Sequence, residues 1–290
     1  MTISGTERTI SGGARLAGVI GWPITHSLSP RLHGYWLSQN AIDGAYVPLG
    51  VSPDHLERAL AGLAALGFAG ANVTVPHKQR ALAAVDEVAP VARRIGAVNT
   101  LIVQPDGRLY GTNTDAFGFL ENLRERAPGW QASAGPVLVL GAGGAARAVV
   151  AALIDAGVPE LRIANRHIER AEAVAADIGG PIRIVSWEQR ADALPGIALL
   201  VNTTSLGMVG QPALQLDLSR LPPAAIVADI VYTPLTTPLL AAATARGNPV
   251  VDGLGMLLHQ ARPAFAAWYG HDPDVTDGLR RFMLEALSQR

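Results

Sequence analysis

The sequence predicts an α/β fold of two domains, an N-terminal α/β substrate domain and a Rossmann-type domain with a doubly wound parallel sheet. Strand-like and helix-like segments alternate along the chain, which is typical of mostly parallel sheets covered by helices. The stretch 136–153 reads PVLVLGAGGAARAVVAAL, where a continuous apolar run leads into glycines and alanines. Such a run indicates a strand covered on both faces. The length of 290 residues suits two ordinary domains.

The glycine-rich stretch predicts a dinucleotide site. Gly141, Gly143 and Ala146 follow the strand in a G-x-G-x-x-A pattern. The first glycine permits a tight turn, the second lets the backbone approach a pyrophosphate, and the alanine permits close packing of helix on strand. A helix over 144–155 would turn its free N–H groups toward the phosphates. The alternative is a purely structural turn.

The composition favours a small-molecule partner. Charged residues make up 16% of the chain and the net charge is -1, so neither a nucleic-acid surface nor a polybasic membrane patch is indicated. The chain has no cysteine, which excludes disulfides, thiolate zinc sites and a cysteine nucleophile, and fits a reducing cytoplasm. No apolar run reaches membrane-spanning length, residues 1–13 lack a signal-peptide core, and no metal-ligand cluster is visible.

The first third of the chain is predicted to alternate strands and helices. The predicted segments are a strand at 15–20, a helix at 31–38, a strand at 45–51, a helix from 52 to about 66 and a strand at 70–73. Ser27 and Ser29 lie just before Pro30 at the start of the first helix, where their hydroxyls can donate to a carboxylate. The alternative is that Ser29 only caps the helix.

Thr74 and Lys78 follow the third predicted strand. Ligands of open α/β sheets gather outside the carboxyl ends of strands, where these two residues would lie. Lys78 is the only lysine in the chain. Lysine can be tuned to release its proton near neutral pH, whereas arginine cannot. An ordinary surface lysine is the alternative.

A hairpin and a helix with an acidic start come next. After a helical segment to about residue 91, residues 95–103 are predicted as a strand, a turn at 105–107 reverses the chain, and 108–111 return it. Asp115 begins a predicted helix that continues to about residue 126, where the helix dipole favours a carboxylate. Capping is the alternative.

The residues after the second strand of the nucleotide unit predict the cofactor. After the strand 161–164 the chain offers Asn165 and Arg166, with Arg170 one turn on, in place of the acid that would hold two ribose hydroxyls of NAD. Arginine pairs bidentately with phosphate. We therefore expect NADP rather than NAD, the alternative being a pair of surface arginines. His167 adds charge only when it is protonated.

Three later strands, at 198–201, 225–229 and 249–251, end on the same predicted rim as Gly141. A helix from about Met256 and a last helix over 274–288 follow, and we expect this pair to pack back on the first domain. The predicted domains are residues 1–114 for substrate binding and catalysis (with 1–13 as a flexible tail), 115–252 for NADP binding, and 253–290 for the C-terminal helices.

Six sequence blocks in order resemble one family over about residues 15–270. The blocks are GWPITHSLSPRLH, NVTVPHK, IGAVNT, GTNTDAFG, LGAGGAARA with NRHIERA, and DGLGMLLHQA. The chain resembles the shikimate dehydrogenases. The resemblance implies two α/β domains with a cleft, and the reversible reduction of 3-dehydroshikimate to shikimate with NADPH in aromatic amino-acid biosynthesis.

The resemblance also implies roles for single residues. Lys78 and Asp115 correspond to the catalytic pair. The expected substrate contacts are Ser27 and Ser29 for the carboxylate, Thr74, Asn99 and Gln260 for the ring hydroxyls, and Tyr232 assisting near the carboxylate. The expected NADP contacts are Gly141, Gly143, Gly144, Ala145, Asn165, Arg166 and Arg170, with Met208 and Gly253 near the nicotinamide. Two positions depart from the family pattern: Gly34 replaces an asparagine and His167 a threonine.

Two alternatives stay open from the sequence. One is a quinate/shikimate dehydrogenase that uses NAD. The other is a non-catalytic sensor that binds the same ligands. In either case we expect a cytoplasmic protein, monomer or homodimer, that binds neither nucleic acid nor membrane.

Overall fold

The computed structural model describes residues 9–288, which form twelve strands and ten α-helices in two six-stranded sheets. The chain separates into two compact units. The first comprises residues 9–92, Val98–Thr112 and Ala261–Met283, and the second comprises Arg93–Ala97, Asn113–Gln260 and residues 284–288. The predicted boundaries at residues 114 and 252 stay predictions, and residues 1–8 of the expected tail lie outside the described residues.

The first part of the chain forms a mixed sheet with helices. Its elements are β1 (Arg15–Gly21), α1 (Ser29–Gln39), β2 (Gly44–Gly50), α2 (Leu56–Ala65), β3 (Phe68–Val73), α3 (Lys78–Ala83), β4 (Glu87–Val88), α4 (Pro90–Ile95), β5 (Thr100–Val103) and β6 (Leu109–Thr112). The strand order is β2-β1-β3-β5-β6-β4. β1 is parallel to β2 and β3, whereas β5 is antiparallel to β3 and β6. The predicted hairpin is therefore confirmed.

The predicted strand over 95–103 is wrong in its first half. Ile95 ends helix α4, and the strand β5 begins only at Thr100. Gly96 has a φ of +73°, a left-handed conformation that interrupts an extended chain. The predicted helix to about residue 91 is also interrupted, because α3 ends at Ala83 and the short strand β4 precedes α4.

The second sheet is wholly parallel, as predicted for a Rossmann-type domain. The remaining elements are α5 (Asp115–Arg126), β7 (Val137–Leu140), α6 (Gly144–Asp155), β8 (Leu161–Asn165), α7 (Ile168–Ile178), β9 (Ile182–Ser186), β10 (Leu199–Asn202), β11 (Ile226–Asp229), α8 (Pro238–Ala245), β12 (Val250–Val251), α9 (Leu254–Tyr269) and α10 (Asp277–Ser288). The strand order is β12-β11-β10-β7-β8-β9, and each neighbouring pair is parallel. β9 and α8 had no counterpart in the sequence prediction.

The central strand β7 explains the continuous apolar run. Val137 and Val139 pack into the hydrophobic cluster that contains helix α6, whereas Leu138 and Leu140 pack into the cluster that contains helix α8. All four side chains are almost fully buried. A strand that is covered on both faces needs apolar residues at every position, as this one has.

The C-terminal helices return to the first sheet, as expected. Trp268 on α9 donates its indole N–H to the Leu101 carbonyl at 2.8 Å, and the Tyr269 hydroxyl donates to the Ala45 carbonyl at 2.9 Å. Gly70 makes this approach possible, because a Cβ there would collide with the Trp268 indole. No helix within residues 9–288 is both long and apolar enough to cross a membrane.

Candidate active site

The carboxyl ends of β1 and β3 lie side by side and place Thr74. Ile20 pairs with Val73 in the parallel register, and the Thr74 N–H donates to the Ile20 carbonyl at 2.9 Å. A Cβ on Gly21 would come within 2.6 Å of the Thr74 side chain, so the glycine permits this approach. Thr74 therefore lies at the carboxyl edge of the sheet, as predicted.

Backbone bonds bring Lys78 and Asn99 to the same edge. Lys78 is the first residue of α3, and its carbonyl accepts the Val98 N–H at 2.8 Å. The next residue, Asn99, accepts the Val73 N–H at 2.8 Å and donates its own N–H to Thr112 at 3.1 Å. The connection after Ile95 thus joins the starts of α3 and β5 at the end of β3.

A buried hydrogen-bond network links Asn99 to Tyr46. Asn72 donates to the Asn99 carbonyl and to the Thr100 hydroxyl, both at 3.1 Å. The Thr100 hydroxyl donates to Asn99 Oδ1 at 2.9 Å, and the Tyr46 hydroxyl donates to Asn72 Oδ1 at 2.6 Å. Burial raises the pKa of Tyr46 well above its ordinary value. A neutral Tyr46 therefore donates to Asn72 and holds its amide in place.

Sequence reasoning missed Asn72 and Tyr46. Asn72 is an amide within the otherwise apolar end of β3, at the start of the block NVTVPHK, and this was the available signal. Buried polar side chains are nearly always hydrogen-bonded, so such a residue indicates a partner elsewhere in the chain. Nothing in the local sequence of Tyr46 indicates that partner.

His33 supports this network from the side. Its ring stacks on the Tyr46 ring with a centroid distance of 3.9 Å and an interplanar angle of 1°. Burial lowers the pKa of His33 to about 3, so the ring is neutral at pH 7. Neither ring nitrogen has a hydrogen-bond partner among residues 9–288. The neighbouring Gly34, a departure from the family pattern, faces open space.

Ser29 does not cap helix α1. Helix α1 begins at Ser29, its N-cap is Leu28, and no side chain caps it. The capping alternative for Ser29 is therefore wrong. Ser27 is half-buried and its Oγ accepts the backbone N–H of Ser29, the first residue of the helix, at 3.3 Å.

Asp115 is the first residue of α5 and is buried. The N-cap is Thr114, without a side-chain cap bond, so the capping alternative is wrong here too. The Thr114 hydroxyl lies 3.5 Å from Gln260 Oε1. A Cβ on Gly118 would come within 2.7 Å of the Gln260 nitrogen, so α5 and α9 pack closely. The structure thus places Asp115 and Gln260 at the contact of two helices.

The glycine loop between β7 and α6 uses its glycines in two ways. Gly141 has a φ of +113°, and a Cβ there would come within 2.5 Å of the Thr203 hydroxyl. Gly143 is the N-cap of α6, and a Cβ there would meet nothing within 4 Å. Space is therefore open before the first helical residues, Gly144 and Ala145, whose N–H groups have no acceptor within a helix. This cradle fits a pyrophosphate.

Two exposed arginines follow the end of β8. The Asn165 amide donates to the His167 carbonyl at 2.8 Å, which shapes the turn into α7. Arg166 and Arg170 are exposed, and neither guanidinium has a polar partner among the described residues. Glu169, the acid that lies between the two arginines in the sequence, has its Oε1 3.6 Å from His167 Nδ1. Two free guanidinium groups without a strand-end acid fit a 2′-phosphate.

Asp229 joins the loops that carry Met208 and Tyr232. It is buried and accepts from Asn202 at 3.0 Å, from the Val231 N–H at 3.0 Å and from the Thr237 hydroxyl at 2.7 Å. Burial raises the pKa of Asp229 to about 6, against the hydrogen bonds, which lower it.

These loops also contact each other directly. The Val209 N–H donates to the Thr233 carbonyl at 2.8 Å, which ties the residue after Met208 to the residue after Tyr232. Met208 is 39% exposed, whereas Tyr232 is half-buried. A Cβ on Gly253 would collide with the Ile230 carbonyl, so that glycine is needed for backbone packing whatever else it does.

The predicted site residues divide between the two units. The first unit contains Ser27, Ser29, Thr74, Lys78 and Asn99. The second contains Asp115, Tyr232, Gln260 and all of the predicted cofactor residues. Lys78 and Asp115 belong to different units, and their pairing stays a proposal.

Comparison with known proteins identifies two matching family models. The model for the shikimate dehydrogenase substrate binding domain matches residues 19–101, and the model for shikimate / quinate 5-dehydrogenase matches residues 124–208. The shikimate dehydrogenase (NADP(+)) of Paramagnetospirillum magneticum is 64% identical over 95% of this chain and 100% of its own length.

Solved structures with the same fold include both cofactor classes. The shikimate 5-dehydrogenase of Thermus thermophilus, in complex with NADP(H) and shikimate, has a TM-score of 0.82 and 41% identity over 95% of this chain and 99% of its own. The quinate dehydrogenase of Corynebacterium glutamicum, in complex with NAD, has a TM-score of 0.87 and 33% identity over 94% and 99%.

Proposed function

The chain belongs to the shikimate dehydrogenase family, and we propose that it catalyses the reversible NADP-dependent reduction of 3-dehydroshikimate to shikimate. The full-length relationship to the shikimate dehydrogenase (NADP(+)) of Paramagnetospirillum magneticum carries this conclusion. The reaction belongs to the shikimate pathway of aromatic amino-acid biosynthesis. The chain is thus an oxidoreductase rather than a non-catalytic sensor.

The substrate is held mainly by neutral hydrogen-bonding groups. Ser27 and Ser29 donate to the carboxylate, with Tyr232 assisting. Thr74, Asn99 and Gln260 bond the ring hydroxyls. The support for this assignment is that Asn99 belongs to a buried network with Thr100, Asn72 and Tyr46, which fixes its position before substrate arrives.

The cofactor is held by backbone at one end and by arginine at the other. Gly141, Gly143, Gly144 and Ala145 form the pyrophosphate cradle. Asn165, Arg166 and Arg170 bind the 2′-phosphate, and Met208 and Gly253 lie near the nicotinamide. When bound, NADPH supplies a hydride to the substrate carbonyl carbon.

Lys78 and Asp115 form the catalytic pair. Reduction of the ring carbonyl places negative charge on its oxygen, which needs a proton and a nearby positive charge. The Lys78 ammonium supplies both. Asp115 accepts from a substrate hydroxyl and orients the ammonium by a charge-assisted hydrogen bond.

A quinate dehydrogenase that uses NAD is the second candidate, since one solved neighbour has that name and that ligand. Initial rates of reduced nicotinamide formation with each of the four combinations of shikimate or quinate and NADP or NAD decide between the two. We expect shikimate with NADP to be fastest. A higher kcat/KM for quinate with NAD would exclude the proposed assignment.

We further propose a cytoplasmic enzyme that acts as a monomer or homodimer. The absence of cysteine from the sequence fits a reducing compartment. Light scattering on the eluting peak of a size-exclusion column measures the oligomeric state, and fractionation of the source cells locates the activity.

A further inference from the structure

Asn113, two residues before Asp115, uses both ends of its side-chain amide. The Nδ2 group donates to the Ala97 carbonyl at 2.9 Å, and Oδ1 accepts the Asp115 N–H at 2.9 Å. The side chain is 5% exposed. The Asp115 N–H is the first of helix α5 and has no acceptor within the helix. Asn113 supplies the acceptor and so sets where the helix begins.

The Ala97 carbonyl is itself on an anchored segment. Arg147 on α6 donates its Nε to the Ile95 carbonyl and its Nη2 to Asp177 at 2.6 Å, and its side chain is 7% exposed. A Cβ on Gly96 would come within 2.5 Å of Arg147 Nη2, so the guanidinium packs directly on the backbone there. Arg147 and Asn113 therefore bind two carbonyls that are two residues apart.

We propose that Asn113 is a positioning residue for Asp115, and that Arg147 fixes the backbone on which Asn113 is anchored. The role rests on the proposed function, since it assumes that the Asp115 carboxylate acts on the substrate. Arg147 lies in the first turn of α6, whose N-terminus forms the pyrophosphate cradle. The helix that holds the cofactor is thus connected to the catalytic carboxylate through Ile95–Ala97 and Asn113.

A positioning role and a purely stabilising role for Asn113 predict different rates for the folded variant. Displacement of a catalytic group by about 1 Å costs up to roughly 100-fold in rate, whereas loss of one buried hydrogen bond alone leaves the rate of the folded enzyme unchanged. Removal of the Asn113 amide frees the Asp115 N–H and lets the first turn of α5 shift. The cofactor contacts proposed for Arg166 and Arg170 lie on another strand end and are not affected.

The test is a double-mutant cycle of Asn113→Ala and Asp115→Asn, with kcat and KM measured on protein whose folded fraction is known from circular dichroism. We expect Asn113→Ala to lower kcat by about 10- to 100-fold with the KM for NADP changed less than threefold. In the Asp115→Asn background the same change should cost less than about threefold, because the group it positions is already gone.

Asn248→Ala is the matched control. Asn248 is also 5% exposed and donates its amide to the Pro222 and Ala225 carbonyls at 2.9 Å, away from the proposed site. It should lower the melting temperature without lowering kcat. Should Asn113→Ala fail to accumulate as folded protein, Asn113→Leu takes its place, since its side chain has nearly the same size and shape but accepts no hydrogen bond from the Asp115 N–H.

Two results would overturn the role of Asn113. One is an unchanged kcat for Asn113→Ala while Asp115→Asn is slow, and the other is an equal loss in both backgrounds. If Asp115→Asn itself keeps full turnover, the catalytic assignment of Asp115 fails first, and the role of Asn113 fails with it.

Discussion

The two units hold their parts of the proposed site by different means. In the first unit the binding groups are side chains, and Asn99 is fixed by a network through Thr100, Asn72 and Tyr46. In the second unit the pyrophosphate cradle is backbone, opened by a glycine at Gly143 where a Cβ would meet nothing within 4 Å. A side-chain site can read the pattern of hydroxyls on a small ring, whereas a backbone site recognises the phosphates common to all dinucleotides.

The residues proposed for catalysis and the residues proposed for cofactor preference are also divided between the two units. The proposed reactive cation, Lys78, belongs to the first unit, and the arginines proposed to distinguish NADP from NAD belong to the second. Substitutions in the first unit should therefore change turnover. Substitutions at the end of β8 should change cofactor preference and leave turnover at saturation intact.

The largest expected effect is at Lys78. Lys78→Ala should lower kcat by about 100-fold or more with a modest change in KM for shikimate, because the ammonium acts mainly in the transition state. Lys78→Arg retains the charge but cannot release a proton near neutral pH, so we expect it to stay at least roughly 10-fold slow. Steady-state kinetics with shikimate and NADP measure both variants. Unchanged turnover in Lys78→Ala would contradict the assignment of Lys78 as a catalytic residue.

The next effect concerns the arginines after β8. Replacing Arg166 and Arg170 together by alanine should lower the preference for NADP over NAD, as the ratio of kcat/KM values, by about 50-fold, since two charge-assisted contacts to the 2′-phosphate are lost. The kcat/KM for NAD should stay close to that of the wild type. Arg183→Ala, an exposed arginine on the neighbouring strand β9, is the control and should leave the ratio unchanged. Equal losses with both cofactors would contradict a 2′-phosphate contact.

A third comparison is of buried titratable groups. Burial lowers the pKa of His33 to about 3 from 6.5, so the folded state takes up its proton less readily than the unfolded state. Its stabilising contribution is present above pH 6.5 and declines as the pH falls, by about 2 kcal/mol at pH 5. His33→Phe retains a ring against Tyr46 without titration. Urea unfolding between pH 5 and 8 should show the wild-type protein losing this amount relative to the variant, and parallel curves would argue against a neutral buried His33.

Asp229 in the second unit should show the opposite and smaller dependence. Its folded pKa of about 6 is raised from 3.8, so its stabilising contribution is greatest below pH 3.8 and is lost as the pH rises through 6. Between pH 5 and 8 the loss is about 1.4 kcal/mol. Asp229→Asn removes the titration, and its amide oxygen can still accept from Asn202 and Val231. The unfolding free energy of the wild type minus that of the variant should fall with rising pH, and a rise would reverse the sign assigned to Asp229.

Local sequence was sufficient to predict an element where all the signals for that element lie within one short segment. The helix over Asp115–Arg126 and the strand, glycine loop and helix from Val137 to Asp155 agree with the prediction within a residue or two. Each combines a clear pattern of apolar residues with a signal for where the helix begins. The edge strand β9 and the helix α8 were missed, because β9 shows no clear alternation of buried and exposed residues and α8 is short with little amphipathic contrast.

The residues after Ile95 show where local sequence was insufficient. The apolar run there favours a strand, yet the backbone turns at Gly96, whose φ is +73°, and Arg147, 51 positions later, packs where a side chain would lie. The block GTNTDAFG contains Asn113 and its partner Asp115, but the partner of the Asn113 Nδ2 group depends on where Ala97 lies. A buried amide reveals that it needs partners, not which ones they are.

The sequence by itself determined the fold class, the family, the lone lysine after β3 and the arginines after β8, because each of these is a property of adjacent residues or of an ordered set of motifs. Only the tertiary structure decided that Asn72 joins Tyr46 to Asn99, that Ser29 and Asp115 are not helix caps, and that Asn113 binds the Ala97 carbonyl of another segment. The physical reason is that a hydrogen bond between distant segments depends on the packing that brings them together, and no single segment contains that information.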